Sequence, residues 1–140
     1  MEDIYKRLLS FTKDGVYRYT FEEGIILLAN HGFVELLGLD CEPDDIIGQR
    51  IGDLLIYEEE PGKVRRELEE KGEIHNYEYT FRTLQGEKRC VLHDSFLEND
   101  SETGTAYVEA IVKDITLRKK TEEEVRQHRD KLEEEVAGRT

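Results

Sequence analysis

The 140-residue sequence has little of several things. It holds two cysteines, Cys41 and Cys90, too few for a disulfide framework. Free thiols suit a reducing compartment, so a cytoplasmic chain is expected. No run of about 18 apolar residues occurs, which argues against a membrane-spanning helix and direct membrane insertion. A parent protein could still be membrane-anchored through other segments. The opening MEDIYKRLLS lacks the basic head and apolar stretch of a signal peptide. Basic residues are scarce, 20 Lys and Arg against 33 Asp and Glu, for a net charge of −13. That charge repels phosphate backbones and argues against nucleic-acid binding. Internal repeats, low-complexity tracts, a P-loop, a zinc motif, a nucleophile elbow and a convincing acid–base pair are missing too. Catalysis needs such a constellation, so no enzyme is read in this chain.

What is present is periodicity. Residues 2–11 carry Ile4, Leu8 and Phe11 at helical spacing, and Asp14-Gly15 breaks that helix. Residues 16–21 alternate, Glu22-Glu23-Gly24 turns, and residues 25–29 form a second short strand. Asn30 is placed to cap a helix whose Phe33, Leu36 and Leu37 share a face, with Gly38 as its stop. Residues 43–48 predict one helical turn, and Ile51, Leu54 and Leu55 another short helix. Pro61 opens a longer helix over 62–71, with Val64 and Leu68 inward and Gly72 at its end.

Beyond Gly72 the period becomes two. Tyr77, Tyr79 and Phe81 alternate with polar residues, and strands over 88–97 and 105–115 follow. The remainder is charged and helical, with Val125, Leu132 and Val136 as a sparse apolar spine. The order predicts an α+β domain, a five-stranded antiparallel sheet with short helices packed on one face. Its organisation is an N-terminal amphipathic helix (1–13), a domain (14–116) and a charged C-terminal helix (117–140).

Four stretches resemble the PAS domain, a small sensory module of signalling proteins. "DGVYRYTFEEGIILLANHGFVELLG" is similar to the family's opening hairpin and first helix, and "DDIIGQRIGDLL" to its helix–Gly–helix step. "NYEYTFRTLQGEKRCVL" resembles the central hairpin, with Gln85 where the family commonly has Asp. "VEAIVKDITLRKKTEEE" resembles its end, where Asp-Ile-Thr closes the last strand before a signalling helix. The terminal "KLEEEVAGRT" resembles the connector that precedes the dimerising helices of sensor histidine kinases, which suggests a piece of a longer protein.

The resemblance implies a ligand pocket between the sheet's inner face and the short helices. Lining then depends on hairpin register. A two-residue turn would set Phe81 opposite Cys90, and a three-residue loop Leu84-Gln85-Gly86 would set Tyr79 opposite Val91. We adopt the three-residue loop, because Gly suits its last position and family hairpins have it. The expected inner face carries His75, Tyr77, Tyr79 and Phe81, then Val91, His93 and Ser95, then Val108, Ala110 and Val112. Ala110 is small where the family often has Gly. Tyr77, Tyr79, His93 and Ser95 could hydrogen-bond a small polar or anionic metabolite, with His75, Val91 and Ala110 completing the site. Alternatively these polar groups bond to one another and to water around a filled core.

The cofactor is unknown. Flavin-binding relatives carry a reactive Cys in an Asn-Cys-Arg context, which "GQRIGDLL" lacks, and haem-binding relatives need a His on the long helix, which "PGKVRRELEEKG" lacks. Both argue against those groups. Cys90 and His93, three apart on a strand, face opposite sides and offer no shared metal site. His31 is expected to be exposed, and His128 lacks the setting of a phosphate acceptor.

The start of the last helix is open. Thr121-Glu122-Glu123-Glu124 is a capping box, whereas a start at Thr116 puts Arg118, Lys119 and Lys120 in an unfavourable first turn. The resemblance prefers Thr116. At that seam Asp114 is expected to tie the strand end to the neighbouring hairpin, Ile115 to pack and Thr116 to cap. Heptads placing Ile115 and Val136 at a, and Val125 and Leu132 at d, leave Arg118, Glu122 and Arg129 at core positions, so only a marginal helix pair is expected.

The resemblance thus implies a sensory module of a bacterial or archaeal histidine kinase, a homodimer through its terminal helices that relays ligand state through Asp114, Ile115 and Thr116. The alternatives are a ligand-free dimerisation or scaffold module, or a sensor for another output such as a cyclase or transcription regulator. A small α+β enzyme is disfavoured, because no carboxylate is expected to face an apolar pocket.

Overall fold

The computed structural model describes residues 2–58 and 62–137. Pro61, the expected first residue of the longer helix, lies outside the described residues, as do Glu59 and Glu60. The elements are α1 (Glu2–Phe11), β1 (Gly15–Thr20), β2 (Ile26–Ala29), α2 (His31–Leu36), β3 (Leu55–Tyr57), α3 (Gly62–Lys71), β4 (Glu73–Thr83), β5 (Lys88–Asn99), β6 (Ala106–Asp114) and α4 (Thr116–Ala137). Two short 3-10 turns, Pro43–Ile46 and Ile51–Asp53, lead from α2 to β3. Among the described residues no helix is long and apolar enough to cross a membrane.

The fold is α+β, and its antiparallel sheet runs β2-β1-β6-β5-β4-β3. It has six strands where five were expected. The additional one is β3, whose Leu55 and Tyr57 stand opposite Thr83 and Phe81 on β4. Leu54, Leu55 and Ile56 form too short an apolar run to show a period. The free edge of β4 decides the matter, because its backbone groups need partners.

The core lies between the inner face of the sheet and the helices. Phe33, Val34, Leu36 and Leu37 around α2 bury themselves against Tyr17, Phe81, Val91 and Val112. From α3, Leu68 packs with Phe21, Ile74 and Val108. Fully burying a side chain of this kind stabilises by about 2 kcal/mol.

Asn30 fastens the entrance to this core. With φ −108° and ψ 175°, its side chain accepts the Phe33 N–H at 3.0 Å, the capping role read from the sequence. The same oxygen accepts the Val16 N–H at 2.8 Å. Its amide nitrogen donates to the carbonyls of Leu9 and Asp14, both at 2.9 Å. One buried side chain therefore joins α1, β1 and α2. Gly32 makes this junction possible, since a Cβ there would lie 2.4 Å from the Asp14 carbonyl oxygen.

The β4–β5 hairpin has the expected register, with Tyr79 opposite Val91. Gly86, at φ +93°, ends the three-residue loop where only glycine is relaxed. Upstream, the alternation breaks. Ile74 pairs with Ser95 and Tyr77 with His93, so His75 and Asn76 together oppose Asp94. Asn76 takes a left-handed φ of 52°, a conformation Asn tolerates better than most residues, and donates its N–H to Asp94 Oδ1 at 3.1 Å. This bulge reverses the parity below it. Ile74 turns inward and is buried, and His75 turns outward beside Glu73 and Asp94. The expectation that His75 lies on the inner face is thereby corrected.

Candidate ligand cavity and output junction

Between the inner face and the helices lies a cavity of about 240 Å³. The strands line it with Tyr17, Tyr19, Tyr77, Tyr79 and His93, and Tyr57 of β3 closes one side. Phe33 and Leu36 face it from α2, and Arg65 of α3 stands at its edge. Tyr17 stacks on Phe33 with ring centroids 4.0 Å apart and on Tyr19 at 5.8 Å. Tyr79 meets the edge of His93 at 5.6 Å and lies beside Tyr77 at the same distance.

Of the expected ligand residues, Tyr77, Tyr79 and His93 line this cavity together. Val91 and Ala110 are buried in its surrounding core without lining it, and Ser95 sits along β5 with its hydroxyl 2.8 Å from His93 Nε2. His75 is outside. The reading of the sequence missed Tyr17, Tyr19, Tyr57 and Arg65. The alternation of Tyr17 and Tyr19 within residues 16–21 was a usable signal for the first two, since that spacing puts both on one face.

The electrostatics follow from burial. Burial, reinforced by neighbouring phenols, pushes the Tyr17 hydroxyl well above its ordinary range, and burial likewise raises Tyr19 and Tyr79. Burial drives the His93 imidazole down to about 4, with Asp94 opposing weakly. His93 is therefore neutral at pH 7. It is 2% exposed, and its Nδ1 has no hydrogen-bond partner. A buried polar nitrogen without a partner is costly, and this one is sealed within the wall. Arg65 is already engaged, with the Phe21 carbonyl at 3.0 Å, Glu22 at 3.3 Å, Glu69 at 3.7 Å and the Phe21 ring beneath its guanidinium.

The exit junction sits at the end of β6. Ile115 is 3% exposed and donates its N–H to the Cys90 carbonyl at 2.8 Å. Thr116 Oγ1 accepts the Cys90 N–H at 2.9 Å and donates to Asp114 Oδ1 at 2.5 Å. Asp114 Oδ1 also accepts the Thr116 N–H at 2.9 Å. Asp114 is thus the cap and Thr116 the tie to the hairpin, the reverse of the expected division.

Helix α4 begins at Thr116 and not at Thr121, whose hydroxyl instead donates to the Leu117 carbonyl at 2.9 Å inside the helix. A tertiary contact overrides the capping box. Lys119 Nζ lies 2.6 Å and Arg118 3.3 Å from the Glu78 carboxylate on β4, and both also approach Glu122. These carboxylates offset the unfavourable meeting of basic residues with the positive end of the helix.

Comparison with known proteins agrees with this architecture. No curated protein sequence matches the chain. A PAS domain from a two-component sensor histidine kinase superposes with a TM-score of 0.63 at 10% identity, over 81% of this chain and 95% of that one. The PAS domain of a Colwellia psychrerythraea protein gives 0.65 at 18% identity, over 82% and 97%. A sensory box histidine kinase/response regulator from Burkholderia thailandensis gives 0.63 at 20% identity, over 93% and 98%. The PAS domain family matches residues 13–117, and the chain belongs to it.

Proposed function

We infer that this PAS domain senses a small ligand in the phenol-rich cavity and passes the bound state to α4, and through it to a histidine kinase. PAS domains are generally sensory modules and not catalysts. The observation that carries the reading is that two strands serve both places. Strand β4 presents Tyr77 and Tyr79 to the cavity, and Glu78 between them grips Arg118 and Lys119. Strand β5 presents His93 to the cavity, and Cys90, three residues away, holds Ile115 and Thr116. A ligand that favours one arrangement of these strands would bias the root of α4 through Asp114, Ile115 and Thr116. It can do so only by as much as its affinities for the two arrangements differ.

The terminal helices support a homodimer. Ile4, Leu8 and Phe11 of α1 and Leu117, Val125, Leu132 and Val136 of α4 are exposed in the single chain. Ile115 is buried in the domain, so it is unavailable to an intermolecular seam. That leaves a short, sparse seam in α4 needing help from α1. Free thiols at Cys41 and Cys90 fit a cytoplasmic setting.

Native mass spectrometry and hydrogen exchange test the reading. A ligand retained by the purified protein, whose removal alters exchange at residues 115–121, is the expected result. No retained mass, no thermal shift across a metabolite panel and unchanged exchange would sink it. The ligand-free dimerisation reading would then be favoured.

A further inference from the structure

The cavity's own titratable groups report what charge it accepts. Four phenols around it, Tyr17, Tyr19, Tyr57 and Tyr79, resist losing a proton, and one imidazole resists gaining one. Negative and positive charge are therefore both penalised at the same wall, as expected for a low-dielectric enclosure. The charged side chains lining it agree. Among the described residues the only lining cation is Arg65, already held by Phe21, Glu22 and Glu69, while Glu22 and Glu23 are exposed in the β1–β2 turn. Lys63 stands over the Tyr77 ring without lining the cavity, so among the described lining residues no cation is left uncommitted for an anion.

Shape and size narrow the class further. The walls are aromatic, with Tyr17 stacked on Phe33 and Tyr79 set edgewise to His93. Flat rings suit such walls, since offset and edge-on aromatic pairs attract beyond simple area burial. A cavity of about 150 Å³ holds benzene, so the 240 Å³ here suits one substituted ring or two fused rings. His93 Nδ1 lacks a partner, but it is sealed within the wall and out of an occupant's reach. Ser95 occupies the imidazole's other nitrogen. His93 therefore shapes the wall without offering a bond to an occupant.

We propose that the cavity binds an uncharged one- or two-ring aromatic compound that lies among Tyr17, Phe33 and Tyr79. This rests on the reading of the cavity as a ligand site and adds the ligand's chemical class. It also replaces the anionic metabolite with a neutral one.

The test uses matched probes at pH 7: benzamide, benzoate, benzylammonium, toluene and indole, followed by calorimetry and ligand-observed NMR. Benzamide and indole bind, and benzoate and benzylammonium bind at least about tenfold more weakly, reflecting the cost of burying charge. A charged probe that binds as tightly as benzamide overturns the assigned class and leaves the sensory reading standing. Failure of all five probes overturns the class and removes the support it lends to a ligand site. Binding of benzamide with unchanged exchange at residues 115–121 supports the class and counts against the relay.

Discussion

Asn30 and Thr116 each fasten a helix to the sheet, Asn30 where the chain enters the domain and Thr116 where it leaves. Asn30 is 4% exposed, and its uncharged amide makes four hydrogen bonds to backbone groups of α1, β1 and α2. Thr116 is half-buried, shares its bonds with an exposed carboxylate and is assisted by the solvent-exposed meeting of Glu78 with Arg118 and Lys119. Buried neutral bonds are insensitive to salt and to pH near neutrality. Exposed ionic ones respond to salt, and to pH only below the ordinary carboxylate range. The entrance is built to stay and the exit to adjust, which is the asymmetry a module needs if its output leaves by the second helix.

The largest expected effect strikes the entrance. Asn30→Ala removes the cap of α2 and leaves buried backbone groups near Val16 and Asp14 without partners. It should cost about 3 kcal/mol in urea denaturation, a cap plus unsatisfied groups. A loss below about 1 kcal/mol would erase the contrast with the exit.

Acid comes next, acting between the two junctions. The folded His93 imidazole titrates near 4, below its ordinary 6.5. The unfolded chain therefore binds the proton more readily. The contribution is complete above about pH 6.5 and falls by about 2 kcal/mol as pH drops toward 4. Denaturation midpoints across that range should show this slope in the wild type and lose it in His93→Phe. A slope unchanged by the substitution would place the acid sensitivity elsewhere.

Gly32→Ala tests the entrance by volume instead of bonding. Its Cβ would lie 2.4 Å from the Asp14 carbonyl oxygen and 2.7 Å from that of Lys13, both backbone atoms. Overpacking of this kind should cost about 2 kcal/mol. A neutral outcome would mean that residues 13–14 can retreat and that the entrance is softer than its hydrogen bonds imply. At the exit, Thr116→Val strips the partner of the Cys90 N–H and should cost about 1 kcal/mol. Amide exchange at Cys90 and Lys119 should quicken as well, and a cost matching that of Asn30→Ala would break the asymmetry.

Local chemistry made much of this legible in the sequence. Asn30 before Phe33 announced a capped helix, and Gly86 announced the three-residue hairpin that puts Tyr79 opposite Val91. The period of two brought Tyr77, Tyr79 and His93 to one cavity. What stayed hidden depends on partners distant in the chain. The bulge at His75 and Asn76 is one extra residue in an otherwise regular alternation, and nothing in "EIHNYEY" marks it before the partner strand is known. Leu55–Tyr57 becomes a strand only because β4 has an edge to fill. Arg65 comes from a helix whose docking on the sheet no local pattern specifies. The basic residues after Thr116 looked misplaced because their partner Glu78 lies some forty residues upstream, on β4.

The smallest effect on stability should be the most informative about the exit. Lys119 holds the Glu78 carboxyl below its usual range, and Glu78 in turn raises Lys119. A lowered carboxyl means that the clamp is whole above the ordinary Glu range and weakens as pH falls through the depressed value. Glu78→Gln keeps the side chain's shape and removes its charge. Exposed ion pairs contribute little to stability, so the melting temperature should hardly move. Hydrogen exchange at residues 116–121 should nonetheless quicken at low ionic strength, because Arg118 and Lys119 then face the helix's positive end without the Glu78 charge to offset them. In concentrated salt, where the screening length shrinks to about 3 Å, variant and wild type should converge. Identical exchange at low salt would mean that Ile115 and Thr116 alone set the start of α4. The exit would then be as fixed as the entrance, and a signal would have to leave the domain by another route.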